Sequence, residues 1–255
     1  MKKFEVNQNL YLDCSSIKED VVFDVISNVN VTITLVNFED ITSIHFEVAD
    51  NSTVQLSMFG QKPLNSGKIT ANIGQNSKIV TYYADFSKDK TNLEASINLN
   101  KENASCEWHL ASLSDKKDQK EITVNIYHVA PFTYGRIDNY GVSKDNSKLL
   151  FAGVSHIQNG CHKSAAHQNA KIVVFDNDCK AIAKPILRID ENDIEASHAA
   201  AVGKISDEHL FYLTSRGLTK DEAKMLITLG YLKPILKGFD ASLQEEISKN
   251  IEGRL

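Results

Sequence analysis

The chain has 255 residues, 42% hydrophobic and 24% charged, which is the composition of a folded protein with a sizeable core. A formal net charge of −5 argues against a nucleic-acid groove or an anionic membrane surface, since both need clustered Lys and Arg. The opening MKKFEVNQNLYLDC has a basic pair but no apolar leader, and no segment approaches the length of a spanning helix. A cytoplasmic protein with reduced cysteines is expected, and the four cysteines form no CxxC pair.

Up to about Ile189 the chain is a succession of short β-branched runs, among them VNVTITLV, STVQLSMF, EITVNIYHV and AKIVVF. Their alternation of apolar and polar residues is a strand signal. An asparagine precedes many of them by three residues: Asn28 before Val31, Asn51 before Val54, Asn76 before Ile79, Asn103 before Cys106, Asn146 before Leu149 and Asn169 before Ile172. The successive spacings are 23, 25, 27, 43 and 23 residues, and the 43 reads as two units with one marker missing. Asparagine suits such turns because it tolerates left-handed backbone angles and its amide bonds nearby backbone. A period in the twenties made of strands and turns points to a β-solenoid, with a β-sandwich as the alternative. Few prolines and no two-residue hairpin turns favour the solenoid.

A helical tail follows. Ser206 can cap a first helix that Gly217 ends, and Thr219 with Glu222 forms a capping box for a second that runs to about Leu229. Ala223, Leu226 and Ile227 give the second helix an apolar stripe. A third helix is expected from Asp240, with Leu243, Ile247 and Ile251 spaced by four. The predicted division is residues 1–200 for the solenoid and 201–255 for the helical region. The apolar faces of the three helices are expected to dock on the end of the solenoid or on a partner.

GQKPLNSGKIT looks like a phosphate loop but fails, because its glycines are too far apart and Ile69 stands where Ser or Thr should bind magnesium. No GxSxG, HExxH or GxGxxG motif is present. Cys161, His162, His167 and Cys179 fall within nineteen residues and would be good metal ligands. In a solenoid they sit on different faces of a coil, so they are read as turn and core residues.

The segment KPILRIDENDIEASHAAAVGKISDEHLFYLTSRGLTKDEAK, beginning at Lys184, resembles the C-terminal signature of the SufB/SufD family of iron–sulfur cluster assembly scaffolds. The preceding AAHQNAKIVVFDNDCKAIAKP is similar to the last coils of that family. The resemblance implies a right-handed parallel β-helix followed by a small C-terminal α-helical segment. Within the family, ASHAAAVG looks like the SufD branch, because the thiolate and carboxylate of the SufB branch are absent at Asn169 and Ala199. His198 matches a histidine implicated in the nascent cluster at the subunit interface, and His167 is a second candidate on the preceding coil.

The implied role is a non-catalytic scaffold that holds a transient iron–sulfur cluster, with ATP hydrolysed by another chain. Its implied partners are a SufC-type ATPase, docked on residues 206–236 through Phe211, Tyr212, Arg216 and Leu226, and a SufB-type or identical scaffold subunit. The family commonly has Gly and Thr where this chain has Ala199 and Ala201, and it commonly carries a long N-terminal helical region. Two other functions are weighed against this one: a β-helical interaction module without cluster chemistry, and a β-helix enzyme acting on polysaccharide.

Overall fold

The alternating runs become sixteen strands in the structure, a computed structural model that describes residues 1–254. Leu255, at the end of the predicted tail, lies outside the described residues. In chain order the strands are β1 (Lys2–Val6), β2 (Leu10–Asp13), β3 (Val21–Val25), β4 (Asn30–Val36), β5 (Ser43–Val48), β6 (Thr53–Gly60), β7 (Leu64–Ile73) and β8 (Lys78–Asp85). They continue as β9 (Lys90–Leu99), β10 (Ser105–Ser114), β11 (Gln119–His128), β12 (Tyr134–Ser143), β13 (Lys148–Ile157), β14 (Ser164–Val174), β15 (Lys180–Ile189) and β16 (Ile194–Lys204). Odd-numbered strands form one eight-stranded sheet and even-numbered strands the other, each strand pairing in parallel with the one two places on. The fold is therefore the expected parallel β-solenoid and not a sandwich of antiparallel sheets.

The core lies between the two sheets. Alternate residues point inward and stack on identical positions of the next coil, as the rings of Phe4, Phe23 and Phe46 do at centroid distances of 5.3 and 5.0 Å. Each fully buried Phe, Leu or Ile contributes about 1.5–3 kcal/mol, so the cumulative stack dominates the stability. Coil length is not constant. Thr53 aligns with Lys78, Lys78 with Ser105, Ser105 with Tyr134 and Tyr134 with Ala165, so successive coils each lengthen by two residues.

One corner of the coil explains the asparagines. Asn28, Asn51, Asn76 and Asn103 all have left-handed angles, with φ of 62, 58, 53 and 58°. The amides of the last three also form a ladder: Asn76 Nδ2 donates to Asn51 Oδ1 at 3.2 Å, and Asn103 Nδ2 to Asn76 Oδ1 at 3.0 Å. The last two markers do not continue this corner. Phe132 and Lys163 take the left-handed angle there, at 59 and 58°, while Asn146 belongs to the opposite corner, where Asp145 is left-handed at 59°. Asn169 lies inside β14 and donates to the Tyr140 hydroxyl at 2.9 Å. The growing coil carries the asparagine spacing out of phase with the turns.

The tail comprises α1 (Asp207–Ser215), α2 (Lys220–Leu232), a 3-10 helix (Lys233–Gly238) and α3 (Ala241–Glu252). Ser206, Thr219 and Asp240 cap the three α-helices as expected, with a complete capping box at Thr219 and Glu222. Helix α2 continues through Gly230, because the break comes only where Pro234 opens the 3-10 turn. Its buried face is Ala223, Thr228 and Leu232, whereas Leu226 points outward.

The tail does not cap the end of the solenoid. The 3-10 helix and α3 lie on the outer face of the even-numbered sheet, where Val36, Phe59, Ala84 and Ala111 form an in-register apolar row under Leu232, Ile235, Phe239, Leu243, Ile247 and Ile251. Gly238 accepts from Ser57 and Gln55 there, and a side chain at this position would collide with the Tyr82 ring.

Arg254 fastens the far end. Its guanidinium donates to the carbonyls of Phe86 (3.0 Å) and Ser87 (2.8 Å) and to the carboxylates of Asp115 and Asp118. Beneath it, the fully buried Lys120 donates to Asp85 Oδ2 at 2.9 Å. Burial is the largest influence on Asp115 and works against its charge, but the bond and charge of Arg254, with the Asp118 bond and the charge of Lys144, together outweigh it and hold the carboxyl below the usual range. A carboxyl with a depressed folded pKa stabilises the fold above its unfolded value, about 3.9, and loses that contribution as pH falls through the folded value. Arg254→Ala should lower neutral-pH stability in urea by about 3 kcal/mol, with the difference from wild type shrinking below about pH 4. Equal midpoints at neutral pH would show that the clamp contributes nothing.

Candidate functional site

Because the tail folds onto a sheet face, the C-terminal end of the solenoid is open. Strands β15 and β16 are the last members of their sheets and are bonded on one side only. Ile182 is 44% exposed, Ile186 39%, Ile189 37% and Val202 43%. A long apolar edge with unpaired N–H and C=O groups is a template for pairing with another chain.

The strand register fixes which side chains face the mouth of this end. Strand β14 buries Ser164, Ala166, Gln168 and Ala170 in the lumen. In register on β16 stand Ile194, Ala196, His198 and Ala200. In-register neighbours share a face, so His198 belongs to the lumen row and is exposed only because no further coil covers it.

Directly behind it, Gln168 is 5% exposed and donates from Nε2 to Ser155 Oγ at 2.8 Å and to the Ile186 carbonyl at 3.0 Å. Its Oε1 is buried without a partner and faces Gly153, where an added Cβ would come within 3.2 Å. Gly153, Ser155 and Gln168 thus form a polar seam in the lumen. Beyond the seam lies a small apolar cluster of Ile157, Cys161 and Ala166, against which Leu187 and Ile194 pack.

His167 points the other way. Its Nδ1 lies 2.8 Å from Ser197 Oγ and its Nε2 3.8 Å from Glu195, on the outer face of the sheet. His167 and His198 therefore occupy opposite faces and cannot share one ion. Cys161 is buried in the turn before β14, its thiol donates to the His128 carbonyl at 3.2 Å, and burial pushes its pKa up. His162 is exposed and meets the Phe132 ring edge-on at 5.2 Å, while Cys179 sits in the turn before β15, 3.5 Å from the Asp145 carbonyl. Among the described residues no three His, Cys, Asp or Glu side chains are grouped to hold a metal ion.

The outward face of the tail carries the other candidates. Phe211 is 75% exposed, Tyr212 57% and Leu226 51%. Arg216 occupies the C-cap of α1 with its guanidinium 5.3 Å from the centre of the Tyr212 ring. Gly217 follows with the left-handed φ of 96° that ends the helix. The GQKPLNSGKIT fragment lies across the connection from β6 into β7.

The site is thus the unpaired, partly apolar end of a stacked parallel solenoid, beside a helical face of exposed aromatics. The chain belongs to the family described as "SUF system FeS cluster assembly, SufBD core domain", which it matches over residues 22–231. It is similar to the iron–sulfur cluster assembly protein SufD of Bacillus subtilis, 37% identical over 117 residues, covering 46% of this chain and 27% of that protein. A SufBD family protein of Mycobacterium tuberculosis is 31% identical over 137 residues, 53% of this chain and 16% of its own length. The iron–sulfur cluster assembly protein SufB of Bacillus subtilis is 27% identical over 141 residues, 55% of this chain and 30% of that protein. The matched region is thus less than a third of each relative. Among the described residues no helix is long and apolar enough to cross a membrane.

Sequence reasoning missed the polar seam, because Gln168 has no signal apart from its fold position. It also missed His128. This imidazole is fully buried, its Nδ1 lies 2.8 Å from Thr133 Oγ1 and its Nε2 has no partner. Burial, reinforced by nearby His156, pushes its pKa down to about 4. Below the unfolded value of about 6.5 the unfolded chain takes up the proton first, so stability should fall as pH drops from about 6.5 to about 4, by about 3 kcal/mol in total. Urea titrations of wild type and His128→Gln across that window should show this slope flattened in the variant. Parallel curves would remove His128 from the account.

Proposed function

We propose that this chain is a SufD-like, non-catalytic scaffold subunit of a SUF iron–sulfur assembly complex, with the nascent cluster as its transient cargo at the open end. The observation that carries the reading is His198, presented on the lumen row of an unpaired edge strand at the C-terminal end of the solenoid.

The chemistry of the mouth supports the reading. A neutral imidazole can take the place of a thiolate on iron, and a cluster with fewer thiolate ligands is easier to release. Cys161 is buried and its thiol is held protonated at neutral pH, so it is a poor ligand, and Cys179, half-buried in the turn before β15, has its thiol turned to the Asp145 carbonyl. Sulfur ligation then falls to a partner, either a SufB-type scaffold or a second copy. His167, on the outer face, is a secondary candidate that could act only after a change of side-chain direction.

The tail supports a second contact. Phe211, Tyr212, Arg216 and Leu226 present an aromatic and apolar surface with a cation, suited to a SufC-type ATPase that would hydrolyse the ATP. Helix α2 packs on β12, so movement of a docked ATPase would be felt by the coils that lead to the mouth.

Co-expression with a SufC-type ATPase should give a stable complex, and Phe211→Ala with Tyr212→Ala should weaken it at least about tenfold. A complex indifferent to both changes would contradict the docking face. His198→Ala should fold normally and lower cluster yield in the assembled complex. An undiminished yield would favour the reading of a β-helical interaction module without cluster chemistry.

A further inference from the structure

The helical tail and the even-numbered sheet do not close on each other everywhere. Between helices α1 and α2 and the outer face of β14 and β16 runs a groove of about 330 Å³. The strand register shows why it stays open. Lys171 and Val173 of β14 stand beside Ala201 and Gly203 of β16, so the last strand raises little side chain into the space. A Cβ added at Gly203 would meet no atom within 4 Å. The volume is that of a small-ligand site, and a junction between two structural units is a common place for one.

The charge in this groove has one sign. Lys171, Lys204 and His209 bring nitrogen donors, Ser206 and Tyr231 bring hydroxyls, and among the described residues no Asp or Glu lines it. That is notable in a chain with 33 acidic and 28 basic residues. Asp207 and Glu208, next to Ser206 along the chain, are exposed and stay outside the lining. Neither Lys171 nor His209 has an ion-pair partner among the described residues, and Lys204 reaches only the amide oxygen of Asn177. Ser206 Oγ accepts from the His209 N–H at 3.4 Å, which leaves its hydroxyl proton free to donate. The rest of the wall is apolar, with Val173 buried and Ile205 and Ile227 half-buried.

We infer that the groove between the tail and β14–β16 binds a small organic phosphate, a phosphate monoester of a ring-sized apolar group. A phosphate dianion presents three strong acceptor oxygens, which suits a lining rich in donors and free of competing carboxylates. A carboxylate would use fewer of those donors. The apolar wall formed by Val173, Ile205 and Ile227 favours a ligand with a hydrocarbon body over the bare phosphate ion. A molecule bound here would tie α1 and α2 to β16, the strand that carries His198. The inference needs neither a cluster nor a partner subunit, and it stands apart from the scaffold reading.

Equilibrium dialysis of 1-naphthyl phosphate against the full chain tests the inference, with the fluorescence of the probe as readout. One molecule per chain should bind with a Kd below about 1 mM and raise the Tm. 1-Naphthol, 1-naphthoate and inorganic phosphate should each bind at least about tenfold more weakly. Two variants locate the site, with melting curves confirming that each is folded. Lys171→Gln removes a charge from an exposed position, and Gly203→Val puts a side chain into the open space; each should weaken binding at least about tenfold. A wild type without saturable binding, or undiminished binding in either variant, would overturn the inference. Naphthoate bound as tightly as the phosphate would overturn the assignment of a phosphate, and naphthol bound as tightly would show that apolar contact alone is at work and overturn the anion site.

Discussion

Each coil of this solenoid satisfies its backbone hydrogen bonds on the next coil, and the last coil has no next. Strands β15 and β16 therefore present a row of N–H and C=O groups flanked by Ile182, Ile186, Ile189 and Val202. An open sheet edge of that length is a liability for a lone chain unless something covers it. The tail, which has the apolar surface to do so, lies elsewhere. Leu243, Ile247 and Ile251 are spent on the outer face of the even sheet, and Arg254 holds them there through Asp115 and Asp118. The placement of the tail thus leaves the end uncovered.

The lumen changes character toward that end. Early coils are filled by stacked Phe, Ile and Val. In the last coils Gly153, Ser155 and Gln168 interrupt the apolar column, and His198 stands one coil beyond Gln168. A buried amide oxygen without a partner costs about 1–3 kcal/mol, so Gln168 is not there for packing alone. It gives the imidazole a polar floor where a hydrocarbon column would have offered none. The outer faces have their own division: the even sheet is covered by helices, and the odd sheet ends in an unpaired basic strand.

How much of this could be read from the sequence depends on the element. The asparagine repeat was legible because Asn28, Asn51, Asn76 and Asn103 share one physical role, a left-handed turn, to which the last three add bonded amides. It failed at Asn146 and Asn169 because Phe132 and Lys163 can adopt the same angle without the same side chain. Helix caps at Ser206, Thr219 and Asp240 were legible because capping is local. The docking face of the tail was not, since Val36, Phe59, Ala84 and Ala111 come together only through register. His198 was found by resemblance, and its lumen-facing direction needed the pairing with Gln168.

The central claim is that the open end presents His198 to cargo shared with a second subunit. It is tested most directly by pulsed electron paramagnetic resonance on the reduced cluster in the assembled complex, with only this chain carrying 15N-labelled histidine. The account predicts a nitrogen hyperfine coupling from the labelled ring that disappears in His198→Ala. A cluster spectrum without such a coupling, or one that keeps it in the variant, would contradict it.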